Sequence, residues 1–216
     1  MYFLKYYLPN ASCGRVKAAR RSSSALGFAH TVTSMPIDKR LVRSVFDQSL
    51  DRFLETEINV LLRDVSERNN CGRLAIYMER IAHASGLTAY YADTEYNRKQ
   101  NGEVKTILDD QFKIVTINCD LILHSRGNVV AEDNLIAVEM KKSDRPSKEK
   151  QKDRDRLRAL TKVSFDNVWS NDGVTQPEHV CGYIVGAYIE INQSKRTCLV
   201  EYYAEGHQVE EVHRSF

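Results

Sequence analysis

The apolar residues change period near Gly86, and that shift restricts the fold more than any short motif does. Ahead of it, Leu41, Val45, Leu50, Leu54, Ile58, Leu61 and Val65 recur at threes, fours and fives. This is the spacing of an amphipathic helix with room for an interruption. A second helix is expected from about residue 65 to 84, with Gly86 as its stop. Beyond Gly86 the period falls to two. Strands are expected over residues 88–98, 112–124 (one long strand or two joined by a bend) and 134–142, with a turn at Asn101-Gly102. Residues 144–158 carry seven basic and four acidic side chains and almost nothing apolar, so a polar helix anchored at its end by Leu157 and Leu160 is expected there. Two more strands follow, over residues 180–191 and 197–203. The order helix, helix, three strands, helix, two strands predicts an α/β fold with a mixed central sheet flanked by helices, rather than a repeating β-α array. No glycine-rich loop follows any strand, which argues against a dinucleotide site.

A chain of 216 residues suits one domain with a tail. No apolar run approaches the ~18 residues a membrane-spanning helix needs, so no membrane partner is expected. The five cysteines (Cys13, Cys71, Cys119, Cys181, Cys198) are scattered and show no zinc-ligand spacing. Reduced thiols and a cytoplasmic setting follow from that. Charge is uneven. Residues 1–37 hold five basic side chains and no acid, whereas residues 38–216 hold 26 basic and 29 acidic ones. Residues 1–36 are therefore read as a basic, poorly ordered N-terminal extension, either a targeting segment or an upstream addition ahead of Met35. The domain proper is expected over 37–216, and its near-neutral charge does not announce a nucleic-acid binder.

The chemistry concentrates on one strand. In Leu135-Ile136-Ala137-Val138-Glu139-Met140-Lys141-Lys142, alternation puts Val138 and Met140 on one face and Ala137, Glu139 and Lys141 on the other. The preceding strand carries Asp120 at one end. If the two pair through a turn at Ser125-Arg126-Gly127-Asn128, Asp120 and Glu139 converge. Two carboxylates held close repel unless a cation lies between them, and hard oxygen ligands suit Mg2+ or Mn2+. The alternative is a same-face Glu139–Lys141 ion pair of little energetic weight. Glu67 falls in line with Cys71, Leu74 and Met78, so it either points toward the core or sits in solvent at the positive end of its helix.

Asp120, eighteen intervening residues and Glu139-Met140-Lys141 resemble the D…(D/E)-x-K signature of the PD-(D/E)XK nuclease superfamily. The chain is similar in particular to a small, mostly uncharacterised bacterial restriction-endonuclease-like group. The matching stretches are Asp93-Thr94-Glu95-Tyr96-Asn97-Arg98, Asp120 through Gly127, Asn134 through Ser143, and Asp153 with Arg156-Leu157. Cys119 departs from the pattern, standing where the superfamily usually has Pro. The resemblance implies a restriction-endonuclease-like core with an N-terminal helical extension. It also implies a Mg2+- or Mn2+-dependent hydrolase that cuts DNA with little sequence specificity, in defence or repair. Asp120, Glu139 and the carbonyl of Met140 would hold the metal, Lys141 would position the attacking water, and Glu67 would hold the lysine or a water from the helix side.

Lys142, Arg145 and Arg156, within the basic run that follows, would grip the phosphate backbone. Superfamily members that cut both strands often do so as homodimers, although nothing in the chain marks an interface. Glu95 is expected either to join the acidic cluster or to pair with Arg98 or Arg126. His124, about 13 Å along the strand from Asp120, is expected to be structural, and Tyr77 and Tyr96 are expected in the core. A non-catalytic nucleic-acid- or protein-binding module on the same fold is the competing expectation.

Overall fold

The structure is a computed structural model that describes residues 36–96, 106–108, 114–116, 119–129, 132–162 and 182–216, the two triplets by backbone alone. Residues 1–35 lie outside it, and with them nearly all of the expected extension; Pro36–Phe216 group as one unit. Helix α1 (Lys39–Thr56) begins at Asp38, whose carboxylate accepts the Arg40 N–H at 2.9 Å. Its stripe of Val42, Val45, Phe46, Leu50, Phe53 and Leu54 is buried. The helical pattern expected to Val65 is interrupted at Glu57, and a single turn, α2 (Ile58–Leu61), continues it. Helix α3 (Glu67–Ala84) is capped by the Ser66 hydroxyl, which accepts the Asn69 N–H. It ends where Gly86 takes φ 90° and the Leu87 N–H reaches back to the Ala82 carbonyl.

The strands are β1 (Tyr91–Thr94), β2 (Thr106–Leu108), β3 (Ile114–Thr116), β4 (Leu121–His124), β5 (Asn134–Lys142), β6 (Val185–Asn192), β7 (Thr197–Ala204) and β8 (His207–Ser215). Helix α4 (Ser147–Thr161) links β5 to β6. Six strands form one mixed sheet in the order β1-β4-β5-β6-β7-β8, in which only β5 and β6 run parallel. A parallel pair needs a crossover, and α4 supplies it. β2 and β3 form a separate antiparallel pair. The expected strand over 112–124 is thus divided: β3 belongs to the small hairpin and β4 to the main sheet.

β5 lies inside the sheet, and its alternation divides the core. Val138 and Met140 pack with α1 and α3, while Ala137 packs with Leu157 and Leu160 of α4. Gly186 on β6 allows α4 to come close. A Cβ there would lie 2.8 Å from Thr161 Cγ2 and 3.0 Å from Tyr203 Cβ. Strand β8 was not expected. Its two apolar residues, Val209 and Val212, are out of step with a period of two, and its burial pattern is almost wholly exposed. The signal for it lies in the turn before it, where Glu205 and Gly206 both take positive φ. Among the described residues no helix is long and apolar enough to cross a membrane.

Candidate active site

The β4–β5 connection sets the site. Asp133 gathers the turn: its Oδ1 accepts the backbone N–H groups of Ser125 and Gly127 and the Ser125 hydroxyl, while Arg126 and Gly127 take positive φ. The register that results puts Leu121 opposite Val138, so Asp120 lies beside the end of β5. Its Oδ2 accepts the Met140 N–H at 2.9 Å. The expected convergence of Asp120 with Glu139 is present, and Asp120 is the neighbour that most raises the Glu139 pKa after burial itself.

Four acids meet three cations here, Lys141, Arg145 and Arg156. The Lys141 amine lies 3.0 Å from Asp153 Oδ2, 3.5 Å from Asp120 Oδ2 and 4.0 Å from Glu67 Oε2. Glu139, wholly buried, gives Oε1 to Arg156 Nη1 at 2.5 Å, and the same Nη1 lies 3.3 Å from Asp153 Oδ1. Oε2 of Glu139 is buried with no hydrogen-bond partner among the described residues. Glu67, the first residue of α3, falls between the two alternatives, half-buried rather than in solvent. It lies at the helix N-terminus and also turns inward, where its Oε1 accepts the Lys142 N–H at 3.0 Å and Arg145 Nε at 2.9 Å.

Burial, then the charge of Asp120, pushes the Glu139 carboxyl well above the ordinary carboxylate range, and Arg156 only partly offsets them. Burial works against a charged Lys141, yet Asp120 and Asp153 together outweigh it and hold the amine above its usual value. Glu67 goes the other way. Its burial is outweighed by the Lys142 N–H, Arg145 and Lys141, and its pKa is lowered. Four carboxyl groups thus meet three cations, Lys141, Arg145 and Arg156, and Glu139 is the carboxyl on which a proton is most favoured.

Among the described residues no group of three or more His, Cys, Asp or Glu side chains is arranged to hold a metal ion. Mg2+ does not require one, because it keeps several waters and binds through one or two carboxylates. Asp120 and the unpartnered Oε2 of Glu139 are donors of that kind; the Met140 carbonyl, expected beside them, accepts the Lys141 amine at 3.3 Å. Glu67 does not belong to such a donor set, since its carboxylate is taken by Lys142 and Arg145.

The cations expected to grip phosphate are all engaged within the chain. Lys142 Nζ pairs with Asp64 at 2.6 Å, Arg145 with Glu67, and Arg156 with Glu139. Other basic residues of α4 also turn to the sheet: Lys150 meets Glu190, and Arg154 meets Glu201 while its guanidinium lies over the Tyr188 ring. Exposed positions remain at Lys148 and Lys152. Glu95 pairs with Arg68 at 2.6 Å rather than with Arg126; Arg98, the other partner expected, lies outside the described residues. Arg126 grips Asp93 instead, which also meets His124 at 2.9 Å, and Tyr96 stacks edge-on against His124; these side chains form a structural cluster at the far end of β4. Tyr77 is half-buried and donates its hydroxyl to Glu57. Cys119, in the position noted as a departure, is a buried thiol that donates to the Val138 carbonyl at 3.1 Å.

Sequence reasoning passed over Asp153 as a site residue. The signal was present, because Asp153 stands four residues before Leu157 and seven before Leu160, in line with the buried stripe of α4. No family model, curated protein or solved structure matches the chain.

Proposed function

We propose that this chain is a divalent-cation-dependent phosphodiesterase of the PD-(D/E)XK kind, acting on DNA. The observation that carries the reading is the crowding of Asp120, Glu139 and Asp153 around Lys141, with one oxygen of Glu139 buried and unpartnered. Burying surplus carboxylate charge is costly unless a cation compensates it. The element order α3, β1, β4, β5, α4, β6, with β5 and β6 parallel, is compatible with the core that the resemblance implies. Fold alone implies no activity, so the weight rests on the side chains.

Asp120, Glu139 Oε2 and, once it gives up the Lys141 amine, the Met140 carbonyl would hold the cation, which would polarise the scissile phosphate. Lys141 stays protonated at neutral pH because its acidic neighbours raise its pKa. It therefore serves as a fixed positive charge toward water and phosphate oxygens rather than as a general base. Glu67 and Asp153 keep that amine beside β5. Binding of the DNA backbone rests on exposed cations such as Lys148 and Lys152, and requires those now paired, such as Arg145, to change partner.

The test is cleavage of single-stranded, duplex and branched DNA in Mg2+ or Mn2+. Wild-type cleavage is expected, with a loss of about 10²–10³-fold in Lys141→Ala and at least as much in Glu139→Ala. Undiminished cutting by both variants, or cutting in excess chelator, would reject the assignment. One observation favours a second reading, a non-catalytic binding module. Arg145 and Arg156 already neutralise Glu67 and Glu139 from within the chain. Under that reading, Mn2+ titration shows no heat of binding and DNA is retained uncut.

A further inference from the structure

Helix α4 brings two side chains to the site one turn apart, and helix packing alone does not explain them. Asp153 is buried in the line of Leu157, Leu160 and Thr161, where an apolar residue would serve the core better. It touches two cations of the site, Lys141 Nζ at 3.0 Å through Oδ2 and Arg156 Nη1 at 3.3 Å through Oδ1. Arg156 in turn holds a single oxygen of Glu139. We infer that Asp153 and Arg156 are a positioning pair for the cation site. This rests on the cation-dependent reading above and deepens it.

Arg156 fixes the Glu139 carboxylate through Oε1 and leaves Oε2 as its only free ligand atom. Asp153 retains the lysine amine on the α4 side. Without Asp153, that amine, already 3.5 Å from Asp120 Oδ2, closes on Asp120 and competes with the cation for it. The carboxylate ligands of a metal are themselves held by hydrogen bonds from behind, and loss of such a support weakens metal affinity about 10–100-fold. Arg156, expected from the sequence to touch phosphate, thus acts through Glu139.

The experiment is Mn2+ titration calorimetry on the full chain, at one pH, with thermal melts to establish folding. Arg156→Gln and Asp153→Asn are expected to weaken Mn2+ binding by about 10–100-fold. Arg156→Lys, which keeps the charge but not the guanidinium geometry, recovers part of that loss. Glu201→Gln releases Arg154, the neighbouring tie between α4 and the sheet, and is expected to leave Mn2+ affinity unchanged. Should Arg156→Gln not fold, Arg156→Lys carries the test, and an affinity equal to wild type overturns the inference. Binding by Arg156→Gln that equals or exceeds wild type also overturns it, since the guanidinium would then be competing with the cation. An equal loss in Glu201→Gln overturns it as well, because α4 would be a scaffold only. Wild type that binds no Mn2+ removes the cation-dependent reading and this inference together, whereas the other outcomes remove the inference alone.

Discussion

Three buried glutamates each meet an arginine, yet one of them behaves differently. Glu57 takes Arg73 together with the Tyr77 hydroxyl, and Glu201 takes Arg154 at both oxygens together with the Tyr203 hydroxyl. Hydrogen bonds from Arg73 and Tyr77 hold Glu57 below its ordinary pKa, and Arg154 and Tyr203 do the same for Glu201 against its burial. Glu139 has Arg156 on one oxygen, nothing on the other, and Asp120 and Asp153 nearby; its pKa rises. An arginine beside a carboxylate is therefore no sign that the site is at rest. What matters is the balance of charge around the pair and whether every oxygen is used.

The sharpest way to break the contrast is to remove a resting partner. Glu201→Ala leaves Arg154 only the Tyr188 ring and Glu190 at 3.9 Å among the described residues, and is expected to lower stability by about 3 kcal/mol, the low end for a broken buried pair, in urea unfolding; a loss below about 1 kcal/mol would show that Glu201 is no better settled than Glu139. A ligand reaches only the unsettled glutamate. Mn2+ at about a hundredfold over its dissociation constant is expected to stabilise the wild type by about 2.7 kcal/mol and to do nothing for Glu139→Gln, as read from melting curves with and without the ion. Tyr203→Phe removes one hydrogen bond to a charged acceptor, at an expected cost of about 1.5 kcal/mol or a little more, measured against wild type in the same denaturant series.

The smallest effect lies in the pH dependence, where the two classes of glutamate have opposite signs. Glu57 has a lowered pKa, so its contribution is complete above its ordinary value of 4.5 and is lost as pH falls through the folded value. The stability gap between wild type and Glu57→Gln should close in acid. Glu139 has a raised pKa, so the folded state takes up its proton more readily than the unfolded chain does, and stability declines as pH climbs from 4.5 through the folded value. Glu139→Gln should therefore gain on wild type as pH rises and match it in acid. Gaps that run the same way in both variants would erase the distinction.

The Glu139 side of this contrast was legible in the sequence; the Glu57 and Glu201 pairs were not. Alternation along β5 sets Glu139 against Val138 and Met140, and the Ser125–Asn128 turn implies that Asp120 meets it. Both follow from local geometry. The line of Glu67 with Cys71, Leu74 and Met78 left core and solvent both open for it, and the same test applied to Asp153, Leu157 and Leu160 would have pointed α4 at the site. The inward turn of Arg156 and Arg154 was not readable, because their partners Glu139 and Glu201 lie on strands far along the chain. A run of basic residues looks alike whether it faces solvent or a row of carboxylates. β2 and β8 escaped notice, because a three-residue strand and a nearly all-polar edge strand leave no usable alternation; β3 lay within the strand expected over 112–124 but pairs with β2 instead of the main sheet.

Gly186 on β6 lies against helix α4. The last turn of α4 rests on it with no room for a methyl group. That contact acts as a fulcrum: Arg156 lies five residues back along the helix from Thr161, roughly 7.5 Å by helical rise. Wedging even one carbon under Thr161 would tilt the lever and lift the guanidinium from Glu139, so the smallest residue on β6 governs the reach of the largest side chain in the site.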